Sequence, residues 1–146
     1  MWILDTDHIS LFQRGHPSVN QHVSTVGFEN LTVTVVTLEE QIRGWLNLIR
    51  RESGSEKVIW AYSGLEDAVL FFNRIEVLSF SEVACSIYSN LRQKKVRVGT
   101  QDLRIASITL SVNGTLVTRN RRDFEKIQGL RFDDWTVGEP IQSNNS

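Results

Sequence analysis

The sequence predicts a single α/β domain built around a mainly parallel sheet. Short apolar or β-branched segments alternate with segments of helical periodicity, which is the pattern of parallel strands joined by helices. The chain has 146 residues, of which 40% are hydrophobic, and this is enough to bury one sizeable core. No internal repeat, low-complexity segment or linker divides it. We therefore expect one domain at residues 1–137 and a polar, disordered tail at 138–146.

Five segments are expected to be short strands because they are apolar or rich in β-branched residues. They span residues 2–4, 31–36, 75–78, 115–117 and, at an edge of the sheet, 131–135. Helices are expected at 8–14, 17–23, from 37 to about 54, 56–74, from 81 to about 97, 102–112 and, as a short helix, from 120. Gly64 weakens the pattern of the helix at 56–74, which leaves open a break at that residue.

Charge and cysteine content exclude several classes of protein. The net charge of −1 excludes a strongly basic protein, although a local basic patch is sufficient to bind nucleic acid. Cys85 is the only cysteine, so neither an intrachain disulfide nor a cysteine-rich zinc site is expected. Asp5 interrupts the first apolar run too early for a signal peptide, and no apolar run is long enough to span a membrane. We expect a cytoplasmic protein that makes no contact with membranes.

Four acidic residues are predicted to meet at one edge of the sheet. Asp5 follows the first strand, while Glu40, Asp102 and Asp123 lie in the first turns of three predicted helices. In a parallel sheet, the carboxyl ends of the strands and the amino ends of the helices share an edge, and ligands bind in the crevice outside it. Residues distant in sequence therefore converge at that edge.

Converging carboxylates predict a particular chemistry. They repel one another and raise each other's pKa, and a bound divalent cation removes this conflict. Magnesium prefers oxygen ligands, and it often takes only one or two carboxylates beside water and substrate phosphate. Such a site favours metal-assisted hydrolysis of a phosphodiester.

Each acid except Asp5 also has a purely structural interpretation. Thr37-x-x-Glu40 matches a capping box, and Asn120-x-x-Asp123 matches a capping motif. Asp102 can simply complement the dipole of its helix. Asp5 ends a buried strand and has no such capping role, so the functional interpretation depends on all four acids sharing one edge.

Four segments carry a family resemblance that covers the chain from about residue 2 to 135. They are LDTD at 4–7, TLEE at 37–40 with Gly44, GTQDLRIA at 99–106 and LVTRNRRDF at 116–124. These segments resemble, in the same order, the L-D-T-N/D, T-x-x-E-x-x-x-G, G-x-x-D-x-x-I-A and L-V-T-x-N-x-x-D-F motifs of VapC-type PIN domains.

The resemblance implies a three-layer α/β/α PIN-like fold and a specific activity. It implies that Asp5, Glu40, Asp102 and Asp123 are the catalytic, metal-binding acids of an endoribonuclease that uses Mg²⁺ or Mn²⁺. It also implies a toxin of a type II toxin–antitoxin system, neutralised by a cognate antitoxin protein, and often a homodimer.

Other residues near these motifs are candidates for supporting roles. Secondary site residues are Thr6, Asp7, Thr118 and Asn120. The two threonines are suited either to hold a water or carboxylate or to form strand-end hydrogen bonds, and Asn120 is favoured as a helix cap. The candidate RNA-binding residues are Arg43, Arg104, Arg119, Arg121 and Arg122. The aromatic residues Trp45, Trp60 and Tyr62 are expected in the core or at an antitoxin or dimer interface rather than stacked on bases.

Three other functions remain open from the sequence. Asp5-x-Asp7 after a strand resembles the nucleophile motif of haloacid-dehalogenase-like phosphatases, although that reading gives no role to Glu40. A metal-independent ribonuclease would use His8, His16 or His22 as acid and base. A degenerate PIN fold would act only as a binding module, which the presence of all four acids argues against.

Overall fold

Five parallel strands form the centre of the molecule. The computed structural model describes residues 1–137, and the predicted tail at 138–146 lies outside the described residues. The strands are β1 (Trp2–Leu4), β2 (Leu31–Thr34), β3 (Glu76–Leu78), β4 (Thr115–Val117) and β5 (Arg131–Asp133). They form one sheet in the order β3-β2-β1-β4-β5, and all four pairings are parallel. The predicted α/β class with a parallel sheet is confirmed.

Seven α-helices connect the strands within the described residues. They are α1 (Thr6–Gln13), α2 (Pro17–Val26), α3 (Val35–Arg51), α4 (Ser55–Arg74), α5 (Glu82–Gln93), α6 (Thr100–Ser111) and α7 (Arg121–Phe124). A single 3₁₀ turn, Phe28–Asn30, precedes β2 and was not expected from the sequence. None of these helices has the length and apolar content required to cross a bilayer.

The sheet lies between two apolar cores, which gives the molecule three layers. Side chains alternate between the faces of a strand, so the neighbours Ile3 and Leu4 of β1 enter different cores. Ile3 packs with residues of α5, α6 and α7, whereas Leu4 packs with residues of α1, α2 and α4. Both side chains are fully buried, as expected for a strand covered on both faces.

The strand order creates a switch point beside β1. From β1 the chain proceeds to β2 and β3 on one side of the sheet, and it returns to place β4 and β5 on the other. Loops that leave neighbouring strands in opposite directions open a crevice at the carboxyl edge, and this is where α/β sheets bind ligands. The first, second and fourth strands all end at this crevice.

The boundary between β2 and α3 differs from the sequence prediction. The strand was expected to extend to residue 36, but it ends at Thr34, and α3 begins at Val35. The hydroxyl of Thr34 caps the helix by accepting the N–H of Thr37 at 3.2 Å. The β-branched residues after Thr34 therefore lie in a helix, because a cap and tertiary packing outweigh their weak preference for strands.

Gly64 does not break α4, which is continuous from Ser55 to Arg74. A Cβ atom at this position would lie 2.2 Å from the ring of Trp45 on α3. The glycine therefore permits close approach of the two helices. Glycine lowers helix propensity, but no larger residue fits at this contact.

Candidate active site

The four predicted acids are placed around the crevice at the carboxyl edge of the sheet. Asp5 lies between β1 and α1, and Glu40 lies in the second turn of α3. Asp102 and Asp123 are each the third residue of a helix, α6 and α7 respectively. Hydrogen bonds and mutual charge effects connect them across these elements. The structure thus brings together acids that are up to 118 positions apart, between residues 5 and 123.

Asp5 has a capping role, contrary to the expectation from the sequence. Its Oδ1 accepts the backbone N–H of His8 at 2.8 Å, which makes Asp5 the N-cap of α1. The same oxygen lies 3.2 Å from Nδ1 of the His8 ring. The expectation was wrong because the helix starts at Thr6, directly after the strand, and not at His8.

Glu40 is half-buried and is held by a threonine from another element. Thr6 Oγ1 lies 3.3 Å from Glu40 Oε1 and also 3.3 Å from Thr37 Oγ1. Burial raises the pKa of Glu40 above its ordinary value, and the nearby charges of Asp102 and Asp5 raise it further. The hydrogen bond from Thr6 opposes this rise.

The capping-box interpretation of Glu40 is wrong. Because α3 begins two residues earlier than expected, Thr34 is its cap and Glu40 lies beyond the first turn. Glu40 therefore does not cap the start of the helix, where the four N–H groups that lack partners within the helix lie. Its carboxylate is directed by Thr6 instead.

Asn120 links two of the acids. Its Nδ2 donates to Asp102 Oδ2 at 3.2 Å and to Asp123 Oδ2 at 3.0 Å. Although Asn120 occupies the N-cap position of α7, its side chain makes no capping hydrogen bond, so the predicted cap is wrong. Buried Thr118 orients it by accepting the N–H of Asn120 at 3.0 Å, which is the strand-end hydrogen bond expected for this threonine.

The two acids joined by Asn120 have opposite electrostatic surroundings. Burial raises the pKa of Asp102, and the charges of Asp5 and Asp123 raise it further. The hydrogen bond from Asn120 instead holds the pKa of Asp123 below its ordinary value, with a further contribution from Lys126. Asp102 therefore lies in the part of the site where negative charges accumulate, and Asp123 lies at its basic margin.

The predicted RNA-binding arginines divide into two groups. Arg119 Nη2 lies 3.6 Å from Oδ2 of the exposed Asp7, and the charge of Arg122 acts on Asp123, so both lie beside the acids. Arg121 lies over the ring of Phe132, at 5.8 Å from its centroid.

The other two arginines belong to a network on α3 and α6. Arg43 forms a hydrogen-bonded ion pair with Glu39, the neighbour of Glu40. Gln101 Nε2 donates to Glu39 Oε1 at 2.9 Å, and Arg104 Nη1 donates to Gln101 Oε1 at 2.9 Å. This network connects α3 to α6 at the margin of the site. The carboxylate of Glu39 already neutralises the charge of Arg43.

Two residues at the site were missed as site residues by the sequence analysis. Lys126 Nζ lies 3.5 Å from Asp123 Oδ1 and donates to the carbonyl of Arg97 at 3.1 Å. Its position three residues after Asp123 was the available signal. His8, which contacts Asp5, was considered only as a catalytic acid or base.

The structure argues against a histidine-based ribonuclease. The side chain of His8 is fully buried, and that of His22 is 3% exposed, so neither reaches a substrate. His16 caps α2, with its Nδ1 accepting the N–H of Val19 at 3.3 Å. All three histidines are thus committed to the interior or to a helix end.

The composition of the site suits a hard divalent cation. Its four candidate ligands are carboxylates, and oxygen-only donor sets favour magnesium or manganese over zinc. Burial, and then the charges of neighbouring acids, raise the pKa of both Glu40 and Asp102, and a bound cation would relieve this unfavourable negative charge. Within residues 1–137, no three Asp, Glu, His or Cys side chains approach closely enough to enclose a metal by themselves. An open arrangement fits magnesium, which commonly keeps several waters.

A second surface feature lies away from the acids. A groove of about 760 Å³ runs between α1, α3 and α4 and includes Trp45, Trp60 and Phe71 in its lining. The rings of Trp45 and Trp60 meet edge to face at 5.2 Å. Trp60 and Tyr62 are 56% and 52% exposed, so they do not belong to the core. Trp45 instead packs against the core, as one of the two expectations had it, so only Trp60 and Tyr62 offer exposed surface to a partner.

Comparison with known proteins identifies the family. Residues 3–130 match the PIN domain family. Ribonuclease VapC1 of Haemophilus influenzae strain R2866 is 30% identical over 142 residues, which cover 93% of this chain and 98% of that protein. The tRNA(fMet)-specific endonuclease VapC of Salmonella typhimurium is 28% identical over 138 residues, which cover 92% and 97% of the two chains.

A solved structure agrees with these sequence matches. A chain in the structure of VapBC-1 from nontypeable Haemophilus influenzae superposes with a TM-score of 0.73 at 26% identity, covering 93% of this chain and 98% of that chain. The chain therefore belongs to the PIN domain family, and within that family it is of the VapC type.

Proposed function

We propose that this chain is a metal-dependent endoribonuclease, a VapC-type toxin that hydrolyses RNA phosphodiester bonds. One observation carries the proposal: carboxylates from four separate segments converge on one crevice, where burial and then the charges of the other acids raise the pKa of Glu40 and Asp102. Two of its relatives are named as a ribonuclease and a tRNA endonuclease, which supports RNA as the substrate class. Membership of the PIN family overturns the alternative of a haloacid-dehalogenase-like phosphatase using Asp5 and Asp7.

The chain's own residues prepare the site for a cation and a phosphate. Asp5 is held by two N–H groups of His8, and Asp102 and Asp123 are held by the amide of Asn120. Asp5, Glu40, Asp102 and Asp123 would hold Mg²⁺ or Mn²⁺, which would supply charge neutralisation at the phosphodiester and a more reactive water. These fixed carboxylates reduce the reorganisation required when the cation and substrate arrive.

Glu40 is suited to proton exchange as well as to cation binding. A carboxyl group whose pKa is raised above its ordinary value is a better general acid or base at neutral pH than an ordinary carboxylate. Thr6 occupies one of its oxygens, Oε1. We place the exchanged proton on the other oxygen, Oε2.

Basic residues beside Asp123 are the proposed contacts for the RNA backbone. Arg122 and Lys126 lie beside this acid and Arg119 pairs with Asp7, and their charges would offset the repulsion between phosphate and carboxylates. Arg43 and Arg104 already contact Glu39 and Gln101, so their contribution to RNA binding is expected to be smaller.

A cognate antitoxin is the proposed partner. The related VapBC-1 structure supports a paired antitoxin, and the exposed aromatic surface at Trp60 and Tyr62 is the proposed contact. We place the protein in the cytoplasm, where the exposed thiol of Cys85 stays reduced. The homodimer stays a prediction.

Cleavage assays with purified protein test the nuclease proposal. RNA should be cut with magnesium or manganese, and excess chelator should stop the reaction. Asp102→Asn should lose most cleavage, whereas Glu66→Gln, an exposed acid on α4, should retain it. Cleavage that persists in chelator would contradict the metal mechanism. A folded wild-type protein that binds RNA without cutting it under any metal condition would favour the degenerate binding module.

Co-expression tests the toxin proposal separately. Expression of the chain alone should arrest growth, and co-expression of the small protein encoded beside it should restore growth. If that neighbour neither binds the chain nor relieves the arrest, the assignment as an antitoxin-controlled toxin is wrong, while the nuclease proposal stands on the cleavage assay.

A further inference from the structure

The buried imidazole of His8 connects Asp5 to Trp135, which follows the last strand, β5. Its side chain is fully buried, and both ring nitrogens have partners. Nδ1 lies 3.2 Å from Asp5 Oδ1, and Nε2 lies 3.2 Å from the backbone nitrogen of Trp135. Trp135 is itself fully buried, so this end of the contact is anchored in the core.

These contacts determine which ring nitrogen carries the proton. The backbone N–H of Trp135 is a donor, so Nε2 must present its lone pair to accept that hydrogen bond. In a neutral imidazole the proton then resides on Nδ1, which donates to Asp5. Asp134 Oδ1 lies 3.6 Å from Nε2, beyond hydrogen-bond distance, and it already accepts from Thr136 at 2.9 Å and 2.6 Å.

Asp5 therefore receives two N–H groups on the same oxygen. The backbone N–H of His8 donates to Oδ1 at 2.8 Å, and the ring Nδ1–H of the same residue donates to it at 3.2 Å. A backbone cap alone leaves a carboxylate free to rotate about its Cβ–Cγ bond, whereas two donors at different angles restrict that rotation. Within residues 1–137, both hydrogen bonds to this carboxylate reach Oδ1, and Oδ2 remains available to a cation.

We propose that His8 is the positioning residue that fixes the Asp5 carboxylate for divalent-cation binding, acting as a rigid link between the buried Trp135 backbone and the site. This inference rests on the proposed function of the acidic site. His8 cannot touch RNA, because its side chain has no exposed surface. It acts through Asp5, as hydrogen-bond partners of metal ligands commonly do.

Two conservative substitutions separate the two contacts of the ring. The amide nitrogen of Asn occupies the place of Nδ1, so His8→Asn can still donate to Asp5 but cannot reach Trp135. The amide oxygen of Gln reaches the place of Nε2, so His8→Gln can accept from Trp135 but offers Asp5 no donor at Nδ1. His8→Leu removes both contacts while retaining an apolar side chain.

Manganese titration by calorimetry, beside a melting curve for each full-length variant, tests the proposal. His8→Asn should bind manganese within about threefold of wild type although it melts lower. His8→Gln should melt closer to wild type than His8→Asn but bind manganese about tenfold or more weakly, the usual effect of losing a partner of a metal ligand. Val23→Ala, a core substitution in α2, controls for stability and should leave manganese affinity unchanged.

The outcomes distinguish this inference from the proposed function. If Asp5→Asn weakens manganese binding but both His8→Asn and His8→Gln bind like wild type, the positioning role is wrong and the acidic site stands. If Asp5→Asn binds manganese as tightly as wild type, both are overturned. A ring ¹⁵N spectrum of the free protein should show a protonated Nδ1 and a bare Nε2 for His8. The opposite tautomer would overturn the positioning role even if His8→Leu failed to fold.

Discussion

Replacing Asp102 with asparagine should stabilise the metal-free protein while removing its activity. Burial raises the pKa of Asp102, and the charges of Asp5 and Asp123 raise it further. Folding therefore moves this carboxylate into surroundings that disfavour its charge, so the ionised group lowers the free energy of unfolding. An amide of nearly the same shape removes the charge, and its oxygen can still accept the hydrogen bond from Asn120.

The expected gain is modest but measurable. Substitutions that relieve unfavourable charge at a functional site commonly raise the free energy of unfolding by about 0.5–2 kcal/mol. For a domain of this length, 1 kcal/mol corresponds to a change of roughly 3–5 °C in melting temperature. Asp102→Asn should thus melt a few degrees above wild type at neutral pH in the presence of chelator.

The pH dependence of this difference follows from the sign of the pKa shift. An acid whose pKa is raised by folding destabilises the folded state when it is ionised, and this penalty is fully present above the raised pKa. As the pH falls through that raised value and then below the ordinary value of 3.8, the group becomes protonated in both states. The difference between Asp102→Asn and wild type should therefore be largest at neutral pH and disappear under acidic conditions.

Manganese should reverse the order of the two melting temperatures. A ligand that binds only the folded state stabilises it, and Asp102→Asn lacks a proposed ligand, so wild type should gain more. Scanning calorimetry in chelator and in manganese measures all four transitions. Asp5→Ala provides the contrast: it removes the cap of α1 and should lower the free energy of unfolding by about 0.5–2 kcal/mol. A lower melting temperature for Asp102→Asn in chelator, or equal responses to manganese, would refute the explanation by charge repulsion.

Three further substitutions test other features of the structure. Asn120→Ala removes the amide shared by two carboxylates and should weaken manganese binding about tenfold in calorimetry, whereas the exposed Asn90→Ala should not. Gly64→Ala places a Cβ 2.2 Å from an indole ring and should lower the free energy of unfolding in urea by about 1–3 kcal/mol. Gly44→Ala, in open space on a helix, should raise it by about 0.5–1 kcal/mol. Equal effects would contradict the packing role of Gly64. Lys126→Met should weaken RNA binding and reduce the slope of log K against log salt concentration by about one. An unchanged slope would show that this lysine does not contact the RNA.

The fold was largely predictable because its signals are local. The strands at Trp2–Leu4 and Thr115–Val117 were predicted with their exact bounds, since short apolar segments between polar turns have few alternatives in a chain of this class. The errors occurred at boundaries. The strand β2 ends at Thr34, earlier than its β-branched neighbours indicated. The Thr34 hydroxyl caps the next helix only because the chain turns at that residue, and composition does not encode the turn.

The place of the candidate site in the fold was predictable, but the contacts of its residues were not. Asp5, Glu40, Asp102 and Asp123 could be selected because motif spacing and parallel topology place them at one edge. The expectations about helix capping were wrong for two of these acids. Asp5, for which no capping role was expected, caps α1, whereas Glu40, for which a capping box was the structural alternative, does not cap its helix.

The α/β class and the order of the elements could be read from the sequence, because periodicity and motif spacing are properties of neighbouring residues. The four acids were candidates on the same grounds, whereas the way they are held became visible only in the folded structure. Asn120 meets an acid 18 positions away, and His8 joins Asp5 to Trp135 across 127 positions. Such contacts depend on how helices from distant parts of the chain pack at the end of the sheet, and a hydrogen bond requires atoms placed within a few tenths of an ångström. That precision comes from the packed core and from no local pattern of residues.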